Sequence, residues 1–396
     1  MRQSLALLVV LLLAACANGA ATVTPTPGLP PDEAATALAP DTETAATATN
    51  PAPSPTPDVA ALSATSTPEP VAQGLSVPAD YTISPAIKGL QGPTQMLTAP
   101  DGRLWVVHLN GEESAGTGQL LALSLTDGSR EVLLDGLLKP TGIAVLGDAL
   151  WIASGRDLLR APLNESGLPA APEVVLDELP FNGRSNGTLT ATPNGTLLFE
   201  TSGTRDGNRA AEGSATLWEL DPADPTNPRP LATGLKGAYA HTVDFAGNLW
   251  TTEIGDDPVN SGPPPDELNL VVEGANFGWP QCFGAQQPAE NYGGTAEACA
   301  ATRAPVLLFG PQTTPTSIVP SAWEADTLYV ALWGPTDPMV ARVRFTMDGD
   351  NATGSVEPFI TGLQNPQSLL LANDGSLLVS DFTTGTIYRV DRARGP

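Results

Sequence analysis

From about residue 75 onward, apolar and polar residues alternate in short runs, and the runs recur as a unit. Each unit reads as an extended apolar stretch, then Gly-Leu, two residues and often Pro. An apolar strand, a turn such as Asp-Gly, and a Leu-aromatic-Val strand complete it. A full copy is Gly89-Leu90, Pro93, Asp101-Gly102 and Leu104-Trp105-Val106; another is Gly362-Leu363, Pro366, Asp374-Gly375 and Leu377-Leu378-Val379. The marker leucines of the six copies stand at 104, 150, 197, 249, 328 and 377, spaced by 46, 47, 52, 79 and 49 residues. Helical periodicity is absent, and period-two alternation between Asp-Gly or Asn-Gly turns predicts antiparallel hairpins. A recurring unit of about 50 residues has the length of one four-stranded blade. The prediction is an all-β, six-bladed β-propeller.

The phase of the unit predicts how the ring closes. Arg130 to Leu134, Arg229 to Ala232 and Val356 to Ile360 are outer strands that precede a Gly-Leu. Asp80 to Ile87 holds the same position before the first Gly-Leu, whereas the last unit ends one strand short after Thr386 to Val390. The N-terminal strand therefore completes the sixth blade, which removes the free edges of an open array. Second strands end on the mouth where first strands begin. Four residues past each marker, His108, Ser154, Thr201, Glu253, Leu332 and Asp381 are expected at that mouth, five of them polar.

Ahead of the repeats the pattern changes twice. Leu5 to Leu13 is an apolar run behind Arg2, and Leu13-Ala14-Ala15-Cys16 follows. The run is shorter than the roughly 20 residues a membrane span needs, so residues 1–15 read as a signal peptide. Small residues before Cys16 resemble a bacterial lipobox, which implies lipidation of Cys16 and an extracytoplasmic, membrane-anchored protein. Residues 16–74 are rich in Ala, Thr and Pro without apolar periodicity, as expected of a disordered stalk. Residues 75–396 form the propeller.

A formal charge of −25 argues against nucleic acid and against anionic headgroups, so the lipid is the expected membrane contact. With Cys16 assigned, Cys282 and Cys299 remain, inside the insertion that lengthens the fourth interval. Outside the cytoplasm a disulfide between them is expected. A metal site, the alternative, would need imidazoles, and the chain offers only His108 and His241. Glu253, Asp256 and Asp257 are oxygen donors suited to a hard cation such as calcium.

Asn248-Leu249-Trp250-Thr251-Thr252-Glu253-Ile254-Gly255, Asp266-Glu267-Leu268-Asn269-Leu270 and Gly274-Ala275-Asn276-Phe277-Gly278-Trp279-Pro280 resemble the soluble quinoprotein glucose/sorbosone dehydrogenases. The resemblance implies a six-bladed propeller that binds pyrroloquinoline quinone with calcium at one mouth and oxidises a sugar or related alcohol or aldehyde. The chain departs from that family where chemistry is concerned. Arg184 occupies the place of its general-base histidine, and an arginine stays protonated at neutral pH. Lys236-Gly237 replaces an Arg-Asn pair, and Gln312 a further histidine. His241 is the candidate replacement base, and Arg184 and Lys236 the candidate cations for an acidic quinone. Two other readings fit the same frame: a non-catalytic propeller binding a glycan, peptide or partner protein, and a calcium-dependent lactonase-like hydrolase using Glu253 and Asn186. A monomer is expected.

Overall fold

The computed structural model describes residues 74–183, 186–255 and 258–393. The proposed signal peptide, Cys16 and most of the proposed stalk lie outside the described residues, as do Arg184, Asp256 and Asp257. Six antiparallel sheets succeed one another along the chain. Blade 1 comprises Pro93–Thr98, Leu104–His108, Gly118–Leu123 and Arg130–Leu137. Blade 2 comprises Pro140–Leu146, Ala149–Ser154, Asp157–Pro162 and Glu173–Leu176. Blade 3 has Thr190–Ala191, Leu197–Thr201, Thr216–Leu220 and Arg229–Thr233, and blade 4 has His241–Val243, Leu249–Glu253, Pro265–Val271 and Leu307–Pro311. Blade 5 consists of Pro315–Pro320, Thr327–Leu332, Met339–Asp348 and Asn351–Thr361. Blade 6 consists of Pro366–Leu371, Leu377–Asp381 and Thr386–Arg392, completed by the N-terminal strand Tyr81–Ile87. That strand pairs antiparallel with Thr386–Arg392, the closure that the phase of the repeat predicts.

Every marker leucine falls at or next to the start of a second strand, which is buried along nearly its whole length because a neighbouring blade covers each face. Six apolar clusters fill the six interfaces between blades. The residue after each marker supplies much of their volume: Trp105, Trp151 and Trp250 are wholly buried, and Tyr329 nearly so. Burying side chains of that size contributes about 2–3 kcal/mol each.

The insertion lies between the third and fourth strands of blade 4. Its first residues, Ala275–Asn276, run parallel to Arg229–Thr233 and extend blade 3 by a fifth strand. A short hairpin and the helix Ala296–Ala300 follow, joined by the Cys282–Cys299 disulfide, with Cα atoms 5.5 Å apart. The expected disulfide is present.

Candidate functional site

Four first strands open on a local irregularity. The ladder slips between Pro93 and Gln95, Pro140 and Gly142, Pro315 and Ser317, and Pro366 and Ser368. The bulged residues are Thr94, Thr141, Thr316 and Gln367, and all four line one cavity of about 310 Å³. A bulge re-aims the extra side chain, and here it turns one polar residue per blade into the shaft. The three threonine hydroxyls are committed: Thr94 donates to Pro140 O at 2.8 Å, Thr141 to Asn186 O at 2.8 Å and Thr316 to Pro366 O at 3.2 Å. Each bond ties one blade to the next, and each leaves the threonine oxygen its lone pairs. Gln367 Nε2 donates to Tyr239 Oη at 2.9 Å, linking blade 6 to blade 4. The blade 3–4 wall is close-set: a Cβ at Gly187 would lie 2.1 Å from Tyr239 O, so only glycine fits there.

The rim of the cavity is apolar. Leu109, Ile254, Trp333 and Phe382 each stand one residue past the end of a second strand. Trp333 and Phe382 meet edge to face with ring centroids 6.2 Å apart. Lys139 also lines the cavity and pairs with Glu113 at 2.5 Å.

None of the six residues expected at the mouth lines this cavity, and in blades 1, 4, 5 and 6 the residue one position further on does. The expected residues hold the connections instead. Asp381 accepts the Gln364 and Asn365 N–H groups, Glu253 accepts the Lys236 N–H, and Ser154 donates to Leu138 O. His108 Nδ1 accepts the Gln91 N–H at 3.4 Å, and Thr201 donates to Gly213 O. Leu332 has no polar group to offer, and Asp266 takes over its task by accepting the Thr314 N–H at 2.7 Å. Backbone donors at these turns need acceptors once buried, so the last polar residue of the strand is used for the turn, not for the mouth.

His241 lies away from the shaft, 3% exposed, between blades 3 and 4. Thr190 Oγ1 donates to His241 O at 2.7 Å, so it accepts from His241 Nδ1 at 2.8 Å, which leaves Nε2 as the unprotonated nitrogen. Nε2 has no partner among the described residues. Burial pushes the imidazole down to about 4, so it is neutral and a weak base. Lys236 is also buried, and it lines a separate void with Glu253, Glu267 and Trp279 rather than the shaft.

Around that void sit Glu253, expected as a calcium ligand, and Glu267, which the sequence offered only as part of a motif. Burial pushes Glu267 up to about 7, and burial with the charge of Glu267 pushes Glu253 well above the usual carboxylate range, so the pair retains a proton between them where separate carboxylates would not. Glu267 also accepts the Gly284 N–H at 2.7 Å and the Asn269 amide at 3.1 Å. Glu200 sits behind Gly187, whose N–H it accepts at 3.0 Å; burial pushes it up to about 8. Among the described residues no cluster of three or more His, Cys, Asp or Glu is placed to hold a metal ion. Asn186 Oδ1 accepts the Ser202 N–H and hydroxyl, and Glu253 Oε1 accepts the Lys236 N–H, so both side chains hold backbone of their own blade connections.

Residues 227–389 match the family described as Glucose / Sorbosone dehydrogenase. Among curated proteins, none matches the sequence. In fold, the chain is similar to the holo form of the pyranose dehydrogenase PQQ domain from Coprinopsis cinerea, with TM-score 0.64, 18% identity, and 80% of this chain and 97% of that one covered. It is likewise similar to a Trichoderma reesei carbohydrate-active enzyme of family AA12, with TM-score 0.69, 17% identity and coverage of 83% and 100%. The PQQ-bound aldose sugar dehydrogenase from Streptomyces coelicolor superposes with TM-score 0.62 at 18% identity, covering 80% and 99%. The match over residues 227–389 agrees with the resemblance carried by the Asp266-Glu267-Leu268-Asn269 and Asn276 to Pro280 motifs: the chain is a six-bladed propeller similar over that stretch to the glucose/sorbosone dehydrogenases.

Proposed function

We propose that the shaft cavity binds a neutral sugar or related polyol. The observation that carries this reading is the direction of the shaft hydroxyls. Thr94, Thr141 and Thr316 give their protons to backbone carbonyls, so they meet a ligand as acceptors. A polyol can donate to all three, whereas a carboxylate cannot donate at all. The Trp333 and Phe382 rings supply apolar faces at the rim, suited to the C–H face of a sugar ring. A cavity of this size falls at the small end of ligand sites.

Pyrroloquinoline quinone is a planar polycarboxylate, and the described lining does not fit it. The lining's cation, Lys139, is neutralised by Glu113, and the threonine oxygens face the ligand with lone pairs. Of the cations proposed for the quinone, Lys236 lines another void and Arg184 lies outside the described residues. Quinone-dependent oxidation is the second reading, favoured by the family match over residues 227–389. It requires a base within reach of the sugar hydroxyl, a place His241 does not occupy. The calcium reading through Glu253 and Asp256 belongs with it. Calorimetric titration of the full chain with glucose and other aldoses, then with the quinone and calcium, separates the readings. Sugar binding without quinone supports the first; quinone binding followed by aldose-dependent dye reduction would replace it with the second.

We propose further that Cys16 carries a lipid and residues 16–74 act as a stalk, holding a monomeric propeller outside the cytoplasm. Radiolabelled palmitate should label the wild-type chain and not Cys16→Ser.

A further inference from the structure

A second cavity, of about 460 Å³, adjoins the first and shares Glu113, Lys139 and Gly183 with it. Its other walls include Arg156, Asp157 and Phe181, so it lies between blades 1 and 2 and the loop leading into blade 3. The Lys139–Glu113 ion pair, here termed the partition, lies where the two linings meet. Lys139 Nζ also stands 5.9 Å from the centroid of the Phe181 ring.

The partition is built at a conformational cost. Lys139 precedes the proline of its turn at φ +43°, in the left-handed region that lysine rarely adopts. The equivalent position in blade 1, before Pro93, is Gly92 at φ +63°. Stability alone would place glycine at both. Blade 2 instead places an ammonium there, with one carboxylate beside it and one aromatic ring beneath.

We propose that the two cavities form one groove for a neutral sugar chain, with one unit in the shaft and the next against Phe181, the inter-unit link crossing at the Lys139–Glu113 pair. The proposal rests on the reading of the shaft as a sugar site. Its chemistry follows from the partition. A hydroxyl both accepts and donates, so a single sugar hydroxyl can bond the ammonium and the carboxylate together without disturbing their charge balance. An anionic chain would meet the Glu113 carboxylate. It would also meet Asp157 and Glu178, which with Glu113 outnumber the Lys139 and Arg156 cations in the lining of the second cavity. The half-buried Phe181 face gives the second unit an apolar platform.

The test is a calorimetric series on the full chain with glucose, maltose, maltotriose, cellobiose and cellotriose. In one linkage series the disaccharide should bind at least about tenfold more tightly than glucose, a difference of about 1.4 kcal/mol. Phe181→Ala should reduce that ratio about five- to tenfold, and Phe181→Leu, which keeps apolar volume without the ring, should reduce it nearly as far. Lys139→Gly, which its backbone conformation accepts, should also lower the ratio. Equal affinity for glucose and every longer chain would overturn the groove and leave the shaft site standing. No binding of any saccharide would overturn both readings.

Discussion

Blades 1, 2, 5 and 6 and the pair formed by blades 3 and 4 solve the same packing problem differently. In the first group the turn before each first strand is a short Gly-Leu or Thr-Pro connection held by a single polar side chain, which accepts turn N–H groups in blades 1, 5 and 6 and donates to a turn carbonyl in blade 2. Four bulges there send a polar residue into the shaft. Blades 3 and 4 lack those bulges, carry the insertion, and bury Glu200, Lys236, His241, Glu253, Asp266 and Glu267. Buried ionisable groups of this kind are costly, and hydrophobic replacements would serve stability as well or better. The regular blades thus hold the ring and line the shaft, while the irregular pair concentrates groups whose protonation differs from that in water.

That contrast can be broken most severely at Asp266. It is wholly buried and accepts from Gly255 N at 2.9 Å, Thr313 Oγ1 at 2.9 Å and Thr314 N at 2.7 Å. Asp266→Ala strands three donors and should cost about 4 kcal/mol, read as a lowered denaturant midpoint in urea. A loss below about 1 kcal/mol would show that the carboxylate is dispensable to the blade 4–5 junction.

Glu200 sharpens the comparison through pH. Its folded-state value of about 8 lies above the ordinary 4.5, so the folded state binds the proton more tightly than the unfolded one. Its contribution is full below about pH 4.5, falls as pH rises toward 8, and is flat beyond. Glu267, pushed to about 7, acts in the same sense over a narrower span. His241 acts in the opposite sense: held near 4 against 6.5, it costs stability as pH falls through that interval. Glu200→Gln should therefore flatten the alkaline loss by on the order of 3 kcal/mol between pH 5 and 9 in urea titrations. An unchanged slope would mean that Glu200 ionises without penalty.

Cys282→Ser should act more locally, because the disulfide closes a loop of 17 residues within the insertion. A loop of that length is worth about 3 kcal/mol in the chain-entropy account, and the loss should fall chiefly on the insertion. Proteolysis is expected to cut first between residues 281 and 302, with the ring still resistant.

The ring, its six-fold count and its closure by Tyr81–Ile87 were legible because each follows from spacing along the chain, and the disulfide because only two cysteines remained once Cys16 was assigned. The cavity was legible only to within one residue. Alternation placed His108, Glu253 and Asp381 at the mouth, but the turn before each first strand draws them inward and Leu109, Ile254 and Phe382 line it instead. The bulges at Thr94, Thr141, Thr316 and Gln367 break the period of two, so no alternation rule exposes them. A signal did exist: a polar residue directly follows the turn proline in four of the repeats. Glu113 and Phe181 lie in loops outside the repeat and left no pattern. Of the buried carboxylates, Glu253 was read as a calcium donor, Asp266 and Glu267 only as part of a motif, and Glu200 not at all, because a sequence does not show which acids lose their water.

The smallest effect tests whether the regular blades carry the ligand. Thr316→Val removes the hydroxyl that donates to Pro366 O, and Thr94→Val the one that donates to Pro140 O. As structural bonds alone, each should contribute about 1 kcal/mol to stability. As shaft acceptors, each should also contribute to sugar affinity, because valine leaves a ligand hydroxyl without its partner; a loss of about five- to tenfold is expected. Thr252→Val is the control from the irregular half: its hydroxyl donates to Pro315 O at 3.1 Å, yet it does not line the cavity. The first two variants should lose similar stability and Thr252→Val more, because its oxygen also accepts the Ala240 N–H at 3.2 Å; only the first two should lose affinity. If Thr252→Val weakens glucose binding as much as Thr316→Val does, affinity follows the rigidity of the ring rather than contact in the shaft, and the division of labour between the two groups of blades fails.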